Sequence, residues 1–425
     1  MNIRPLRSRR QLLTVLPCVL AAMTLSPLAA AQEGKVRIGL IASLSGRPDT
    51  ATGESIRGAA RTFVLEINRQ GGFLGRQVEL VEKDDQSNAG QTSVLTRELI
   101  EKDKVVAVLG LSDTASAMQA APVCQEARVP LLLTAASGNV LLQSWMPPAM
   151  PDSFIFRVAP GDSVQQEALL HDILDKRKIT AIALLHDQSP EGLAGKESLL
   201  TEMARRHVQP AVTVSLGQGP HDGSALLRQI HAAGARMVLV YGKPATAALV
   251  ADQLQRSRFV LPMAGSAALA SRSFTGIARD SAEGVRMPLS YLEHDSARSK
   301  QFTQAYQQSN GGRSVPAAAV AAQTYDALQI LRAAVQQAQS TEPDKIRDAL
   351  EDLQGEVQGT LISRYLKPFS RFEHDALSAD MLVVAEFWRG QVRFVYREDA
   401  AAAVEFRPRK IRAEEIGRAS CRERV

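Results

Sequence analysis

The sequence predicts an α/β protein of two lobes, each a parallel sheet covered by helices. Three observations carry that prediction. From Lys35 onward short apolar runs alternate with amphipathic stretches at helical spacing, the pattern of a parallel sheet packed on both faces. The alternation runs through one series up to Val158 and then begins again. A chain of 425 residues is too long for one small core and long enough for two domains of ordinary size.

The first series opens with Val36-Arg37-Ile38-Gly39-Leu40-Ile41, a strand that ends in the loop Ser43-Leu44-Ser45-Gly46. Residues 55–68 follow as a helix, with Ile56, Ala59, Ala60, Phe63, Val64 and Ile67 on one face. Gly71-Gly72 stops it, because glycine accepts the left-handed cap conformation. Val78 to Val81 is the next strand. Helix 92–101, strand 105–109, helix 115–127 and strand 131–133 repeat the unit.

A second series starts after Phe156-Arg157-Val158. It reads as helix 163–176, strand 179–185, helix 192–206, strand 212–214, helix 223–233, strand 237–241 and helix 245–256. Helices are expected again at 297–308 and 317–337. Residues 381–388 and 392–396 read as a hairpin around Arg389-Gly390-Gln391. A ligand is expected between the lobes, at the carboxyl ends of the strands.

The ends of the chain stand apart. Arg4, Arg7, Arg9 and Arg10 precede an apolar run from Leu12 to Leu25, and Ala29-Ala30-Ala31 offers a small-residue cleavage site before Gln32. Residues 1–31 are therefore expected to be a secretory signal peptide, which places the protein in the periplasm. Ser8-Arg9-Arg10-Gln11-Leu12-Leu13 loosely matches a twin-arginine signal, which leaves the export route open. Pro17 beside Cys18, inside the apolar run, argues against a lipid anchor. At the other end Glu415 to Val425 has no apolar periodicity and resembles translated vector sequence, so residues 413–425 are set aside as a non-native tail.

Of the 50 Lys and Arg residues four lie in the leader, which leaves 46 against 45 Asp and Glu, a balance of +1. Nothing in that balance asks for nucleic acid or an anionic membrane. Hydrophobic residues make up 45%, yet no stretch after the leader is apolar for long enough to span a bilayer. With Cys421 discounted, Cys124 is the cysteine that remains, which is no disulfide framework. There is no Gly-x-Ser-x-Gly elbow, His-Glu-x-x-His helix or phosphate loop, and the seven histidines are scattered. These absences count against an enzyme, and no cofactor and no metal are expected.

One ordered set of motifs goes further. Leu44-Ser45-Gly46, Gly53, Gly58, Ile67-Asn68, Gly71-Gly72, Gly75 and Lys83-Asp84-Asp85 closely resemble the opening of leucine/isoleucine/valine-binding proteins. Those are the periplasmic receptors of branched-chain amino-acid ABC importers. Val108-Leu109-Gly110, Pro130 to Ser137, His186-Asp187, Tyr241-Gly242, Ala282-Glu283-Gly284 and Thr324 to Leu328 continue the match in order. The resemblance implies two Rossmann-like lobes with parallel sheets joined by three crossovers, the type I periplasmic binding protein fold, closing on a ligand by hinge motion. On that plan lobe 1 takes 35–158 and 287–360, and lobe 2 takes 159–286 and 361–400. A small amino acid or related carboxylate is the implied ligand, and a membrane permease the implied partner. An aromatic or aliphatic carboxylate or amide without an α-ammonium stays open, as does a sensory ligand-binding module.

The candidate site begins at Leu111-Ser112-Asp113-Thr114-Ala115, between a strand and a helix. A hydroxyl there caps the helix, and free N–H groups with the helix dipole favour an anion such as an α-carboxylate. Thr114 falls where the family has a carboxylate-binding serine. By the same resemblance Ala135 offers a carbonyl to a ligand ammonium, and Ser137 offers its hydroxyl and N–H. On the second lobe the rim positions are Tyr241 and Ala267, and there the sequence departs from the pattern. Gln188-Ser189-Pro190-Glu191 replaces a tyrosine, Lys243-Pro244 displaces another, and Ala267 stands where the family's ammonium-pairing acid would fall. Alanine cannot balance a buried positive charge. Either Glu191 or Asp187 substitutes, or the ligand lacks an ammonium. Lys243 reads as a solvated loop residue.

Overall fold

The computed structural model describes residues 34–46, 50–217, 223–257 and 261–405. The expected signal peptide 1–31 and the expected tail 413–425 lie outside the described residues. Within them no helix is long and apolar enough to cross a membrane.

The first series is β1 (Val36–Ala42), α1 (Ala51–Arg69), β2 (Val78–Asp84), α2 (Ala89–Glu101), β3 (Ala107–Gly110), α3 (Thr114–Ala127), β4 (Leu131–Leu133), α4 (Asn139–Trp145) and β5 (Ile155–Arg157). Its strands form a five-stranded sheet in the order β2-β1-β3-β4-β5, parallel throughout. The second series is α5 (Asp162–Leu170), β6 (Ile182–Asp187), α6 (Pro190–Arg205), β7 (Val212–Leu216), α7 (Gly223–Ala232), β8 (Met237–Tyr241), α8 (Pro244–Arg256), β9 (Met263–Gly265), α9 (Arg272–Ala278) and β10 (Arg286–Leu289). Helix 163–176 was expected as one piece. In the fold α5 gives way at His171 to a wider π-helical stretch that runs to Lys176.

The chain then adds α10 (Ala297–Ser309), α11 (Ala318–Ala338), α12 (Pro343–Glu351), β11 (Val383–Trp388), β12 (Gln391–Phe394) and α13 (Arg397–Glu405). The expected hairpin is present as β11 and β12. Arg389 (φ 51°) and Gly390 (φ 73°) both take the left-handed conformation that a two-residue hairpin turn requires. Their N–H groups donate to the Glu283 carboxylate at 2.8 and 2.7 Å, which seats the turn on the lobe. The hairpin extends the second sheet to seven strands, β12-β11-β10-β9-β8-β6-β7, with its antiparallel strands at one edge.

Two expected lobe boundaries move. β10 pairs with β9 and β11, and Met287 and Leu289 lie in the second lobe's core, so the chain returns to the first lobe after Leu289 rather than at 286/287. Residues 361–377 belong with the first lobe rather than the second. Tyr365, Phe369, Ala376 and Leu377 sit in its core, and Asp326 of α11 accepts the N–H groups of Leu361 and Ile362 at 2.6 and 2.9 Å. These displacements share a cause. A four-residue strand and a loop pinned by one carboxylate take their allegiance from partners outside their own local pattern.

The first lobe's main core is consequently discontinuous. Ile38, Leu40, Phe63, Leu109 and Phe156 pack with Leu328, Leu331, Val335, Ile346 and Leu350 of α11 and α12. Gly58 makes room for α10, because a side chain there would meet the Tyr306 hydroxyl at 2.2 Å. The second lobe packs Leu169, Ile173, Leu184 and Tyr241 on one face of its sheet and Leu185, Val240, Phe274 and Phe387 on the other.

The first and third crossings run side by side. The Arg157 N–H donates to the His374 carbonyl at 2.8 Å, and Ala376 returns its N–H to the Arg157 carbonyl at 2.9 Å. The Arg157 guanidinium, fully buried, donates to both Asp375 carboxylate oxygens at 2.5 and 2.8 Å. Its remaining Nη1 donates to the carbonyls of Ser137 and Gly138 at 2.9 and 3.1 Å. Burial pulls the guanidinium pKa down, but the charge and hydrogen bonds of Asp375 outweigh that and hold it above its ordinary value. Replacing Arg157 by methionine leaves Asp375 buried without its cation. The expected cost is about 3–5 kcal/mol of unfolding free energy, measured by urea denaturation. A loss below about 1 kcal/mol would show that the pair is not what joins the crossings.

Candidate functional site

The carboxyl edge of the first sheet gathers the predicted first-lobe residues. β3 ends at Gly110, and after the Leu111-Ser112 turn α3 begins with Asp113 as its cap. The Asp113 carboxylate accepts the Ser116 N–H at 2.8 Å, so this side chain is committed to the helix rather than the cleft. The N–H groups of Thr114 and Ala115, in the first turn, have no acceptor within the helix. They are the anion-favouring groups that the sequence pointed to.

Ser112 and Thr114 use their hydroxyl oxygens as acceptors. Ser112 Oγ accepts the Ser43 N–H at 2.9 Å, and Thr114 Oγ1 accepts the Gly138 N–H at 3.0 Å. A hydroxyl that accepts in this way still has its proton to give. The backbone thus aims both hydroxyls as donors. Gly138 must approach closely for this to happen, since a Cβ there would lie 2.5 Å from Thr114 Cγ2 and 2.8 Å from its Oγ1.

Ala135 and Ser137 follow β4 on the same rim, with Ala135 half-buried. The Ser137 carbonyl accepts the N–H of Asp162 at 2.9 Å besides the Arg157 bond, and its hydroxyl acts to lower the Asp162 pKa. Asp162 was not anticipated. It opens α5 just after the first crossing and is more than nine-tenths buried. Burial raises its pKa, and the Ser137 hydrogen bond and Arg157 charge only partly offset that. Because Arg157 is already bonded to Asp375, two carboxylates share one cation. An acid two residues after Pro160, followed by Gln165-Gln166, was the available signal, but it reads equally well as a helix start.

The next residues of α5 reach the second lobe's rim. Gln165 Oε1 accepts the Ala267 N–H at 2.9 Å, which fixes that half-buried rim position through its backbone. Gln166 is fully buried and donates to the Gly195 carbonyl at 3.0 Å. Tyr241 lies buried behind them, packed against Gly195, and its hydroxyl pKa is driven up by burial and then by the Asp162 charge.

The two acids weighed as ammonium partners sit differently. Asp187 is buried, with Oδ1 accepting from the Ser189 N–H and hydroxyl and Oδ2 accepting the Lys243 N–H at 2.7 Å. It brackets the ends of β6 and β8 and has little capacity left. Glu191 is exposed in the first turn of α6, where a negative charge suits the helix dipole. The Lys243 side chain is exposed as well. Cys124 is a buried free thiol whose pKa burial pushes up, which makes it unreactive. Among the described residues no group of three or more His, Cys, Asp or Glu could hold a metal ion.

The Gly138 contact generates a test. Gly138→Ala is expected to destabilise the protein by about 1–3 kcal/mol through overpacking against Thr114. In a Thr114→Ala background the same substitution should cost clearly less, a coupling read from the four thermal or urea unfolding curves. Additive costs would mean that Thr114 is not held where described.

A profile of the periplasmic binding protein family matches residues 35–383. The chain is 26% identical over 325 residues to a Leu/Ile/Val-binding protein homolog of Brucella melitensis, covering 76% of this chain and 85% of the relative. It is 24% identical over 317 residues to a leucine-, isoleucine-, valine-, threonine- and alanine-binding protein of Pseudomonas aeruginosa, covering 74% and 82%. Among solved structures, a type 1 periplasmic binding protein from Bordetella pertussis superposes with a TM-score of 0.73 at 21% identity, covering 85% of this chain and 99% of that one. A branched-chain amino-acid transporter substrate-binding protein of Streptococcus pneumoniae, solved with isoleucine, gives 0.67 at 20% identity and covers 85% and 98%.

Proposed function

We propose, because this chain belongs to the periplasmic binding protein family, that it captures a small amino acid between its lobes and delivers it to the membrane permease of an ABC importer. The family is one of receptors rather than enzymes, and two of the relatives carry names that specify branched-chain amino acids. One observation supports a zwitterionic ligand in particular. The two-residue loop Ser137-Gly138 is flanked by groups of opposite preference. Gly138 donates to Thr114, beside the open N–H groups of α3, and Ser137 binds Asp162, a buried carboxylate that lacks a cation of its own.

In this reading the ligand carboxylate meets the first turn of α3 and the hydroxyls of Ser112 and Thr114. Its ammonium meets the Ala135 carbonyl and the Asp162 carboxylate. Asp162 then takes the part that Ala267 cannot play and that Glu191 and Asp187 were weighed for. Closure excludes water, which makes an ion pair with the ligand worth more and an unpaired ammonium prohibitive. Ser137 and Ala267 complete the lining, and Tyr241, expected on the rim, backs it from the core instead.

Calorimetry with leucine and with 4-methylpentanoate, the same carboxylate without its ammonium, decides the matter. The parent is expected to prefer leucine, and Asp162→Asn to remove most of that preference. A hydrogen bond to a charged group is worth about 1.5–3 kcal/mol, or roughly ten- to a hundredfold in affinity. Equal affinity of the parent for both compounds would sink the zwitterion reading. Glu191→Gln is the control and should leave the preference intact.

Residues 1–31 serve in this proposal as an export signal removed before Gln32. Intact-mass analysis of the periplasmic fraction should give a chain that begins at or next to Gln32. A functional pool that retains Met1 would overturn the assignment.

A further inference from the structure

A chain of hydrogen bonds crosses directly from lobe to lobe beside the candidate cleft. Asn139 opens α4, whose Leu141 lies in a first-lobe core, and its Nδ2 donates to Ser198 Oγ at 2.7 Å. Ser198 belongs to α6, whose Leu199 and Met203 lie in a second-lobe core. Ser198 Oγ in turn donates to Gln166 Oε1 at 2.6 Å, and Gln166 Nε2 donates to the Gly195 carbonyl of the same helix. Asn139 Oδ1 accepts from the N–H and hydroxyl of Ser163, both at 3.3 Å.

The directions are fixed by chemistry. Gly195 offers only an acceptor, so Gln166 must donate to it and present its oxygen to Ser198. The single Ser198 proton goes there, which leaves Ser198 Oγ to accept from Asn139. Every member therefore has one role, and the chain is complete only when α4 and α6 are in contact. Gln166 is fully buried and Asn139 and Ser198 are half-buried, so water competes poorly for these bonds. None of the three belongs to the groups assigned to the ligand. They lie next to them, with Asn139 two residues from Ser137 and Gln166 one turn beyond Asp162.

We propose that Asn139, Ser198 and Gln166 are positioning residues, a clasp that holds the lobes together and sets how long a ligand is retained without touching it. The proposal rests on reading the cleft as the ligand site. A receptor whose lobes also bond each other loses less free energy when the ligand leaves, so the closed form persists in part without ligand. The clasp should therefore act on the dissociation rate and on the ligand-free population, and much less on the association rate.

The test reads both. Spin labels on cysteines introduced at exposed Glu126 and Ala204, with Cys18 and Cys421 replaced by serine, report the interlobe distance by pulsed electron resonance. In the ligand-free protein Ser198→Ala should shift that distribution toward longer distances, and Ser198→Thr, which keeps the hydroxyl, should restore it. Stopped-flow measurement with leucine should show dissociation about five- to tenfold faster in Ser198→Ala at a nearly unchanged association rate. An unchanged ligand-free distance distribution in Ser198→Ala would overturn the clasp whatever the ligand. A shifted distribution with no leucine binding, even in the parent, would uphold the clasp and count against the ligand reading alone.

Discussion

A buried guanidinium must have its donors satisfied, and in this protein that requirement falls on Arg157. Its fork is filled by Asp375 from the third crossing and by the carbonyls of Ser137 and Gly138 from the rim of the first sheet. Three segments remote in sequence are thereby brought to one point. Alone, the pair is weak evidence for stability, since desolvation costs about as much as attraction returns. Its consequence is geometric. The loop that presents Ser137 and receives Thr114 is held in shape while the crossings stay together, and Asp162 is placed beside it as a second carboxylate that the one cation only partly compensates.

From that point the chemistry of the cleft follows economically. A backbone N–H takes one lone pair of Ser112 Oγ and one of Thr114 Oγ1, and each hydroxyl keeps its proton to donate. Asp113 and Asp187, the acids most visible in the motifs, are spent on a helix cap and a strand bracket. The carboxylate that keeps its charge available is the one with the poorest company. Polarity at the rim is set by which groups the fold has already used.

Much of this architecture was legible in the residues. Alternating apolar runs and helical spacing located most of both parallel series, because burial on two faces leaves strands continuously apolar. Periodicity could not place β10 or residues 361–377, whose partners are not local in sequence, nor the short helices α4 and α9. The candidate first-lobe residues stood out as capping chemistry, a local code of hydroxyls and acids at helix starts. Asp162 was not, since an acid that opens a helix has the same local signature whether or not its surroundings are dry. What distinguishes it is burial against Ser137 and Arg157, a property of the assembled lobes.

The discontinuous first core has a bearing on how the chain assembles. Residues of β1, α1 and β3 are sealed by α11 and α12, which follow some two to three hundred residues later. The intervening lobe draws nearly all its strands from one unbroken stretch and lacks only a terminal hairpin. As the chain emerges N-terminus first into the compartment where it folds, the later-written lobe can therefore collapse first, while the earlier one waits with part of its apolar surface uncovered. Such a waiting half is the part most prone to aggregate and most in need of a chaperone's cover. The order of genesis runs opposite to the order of the text.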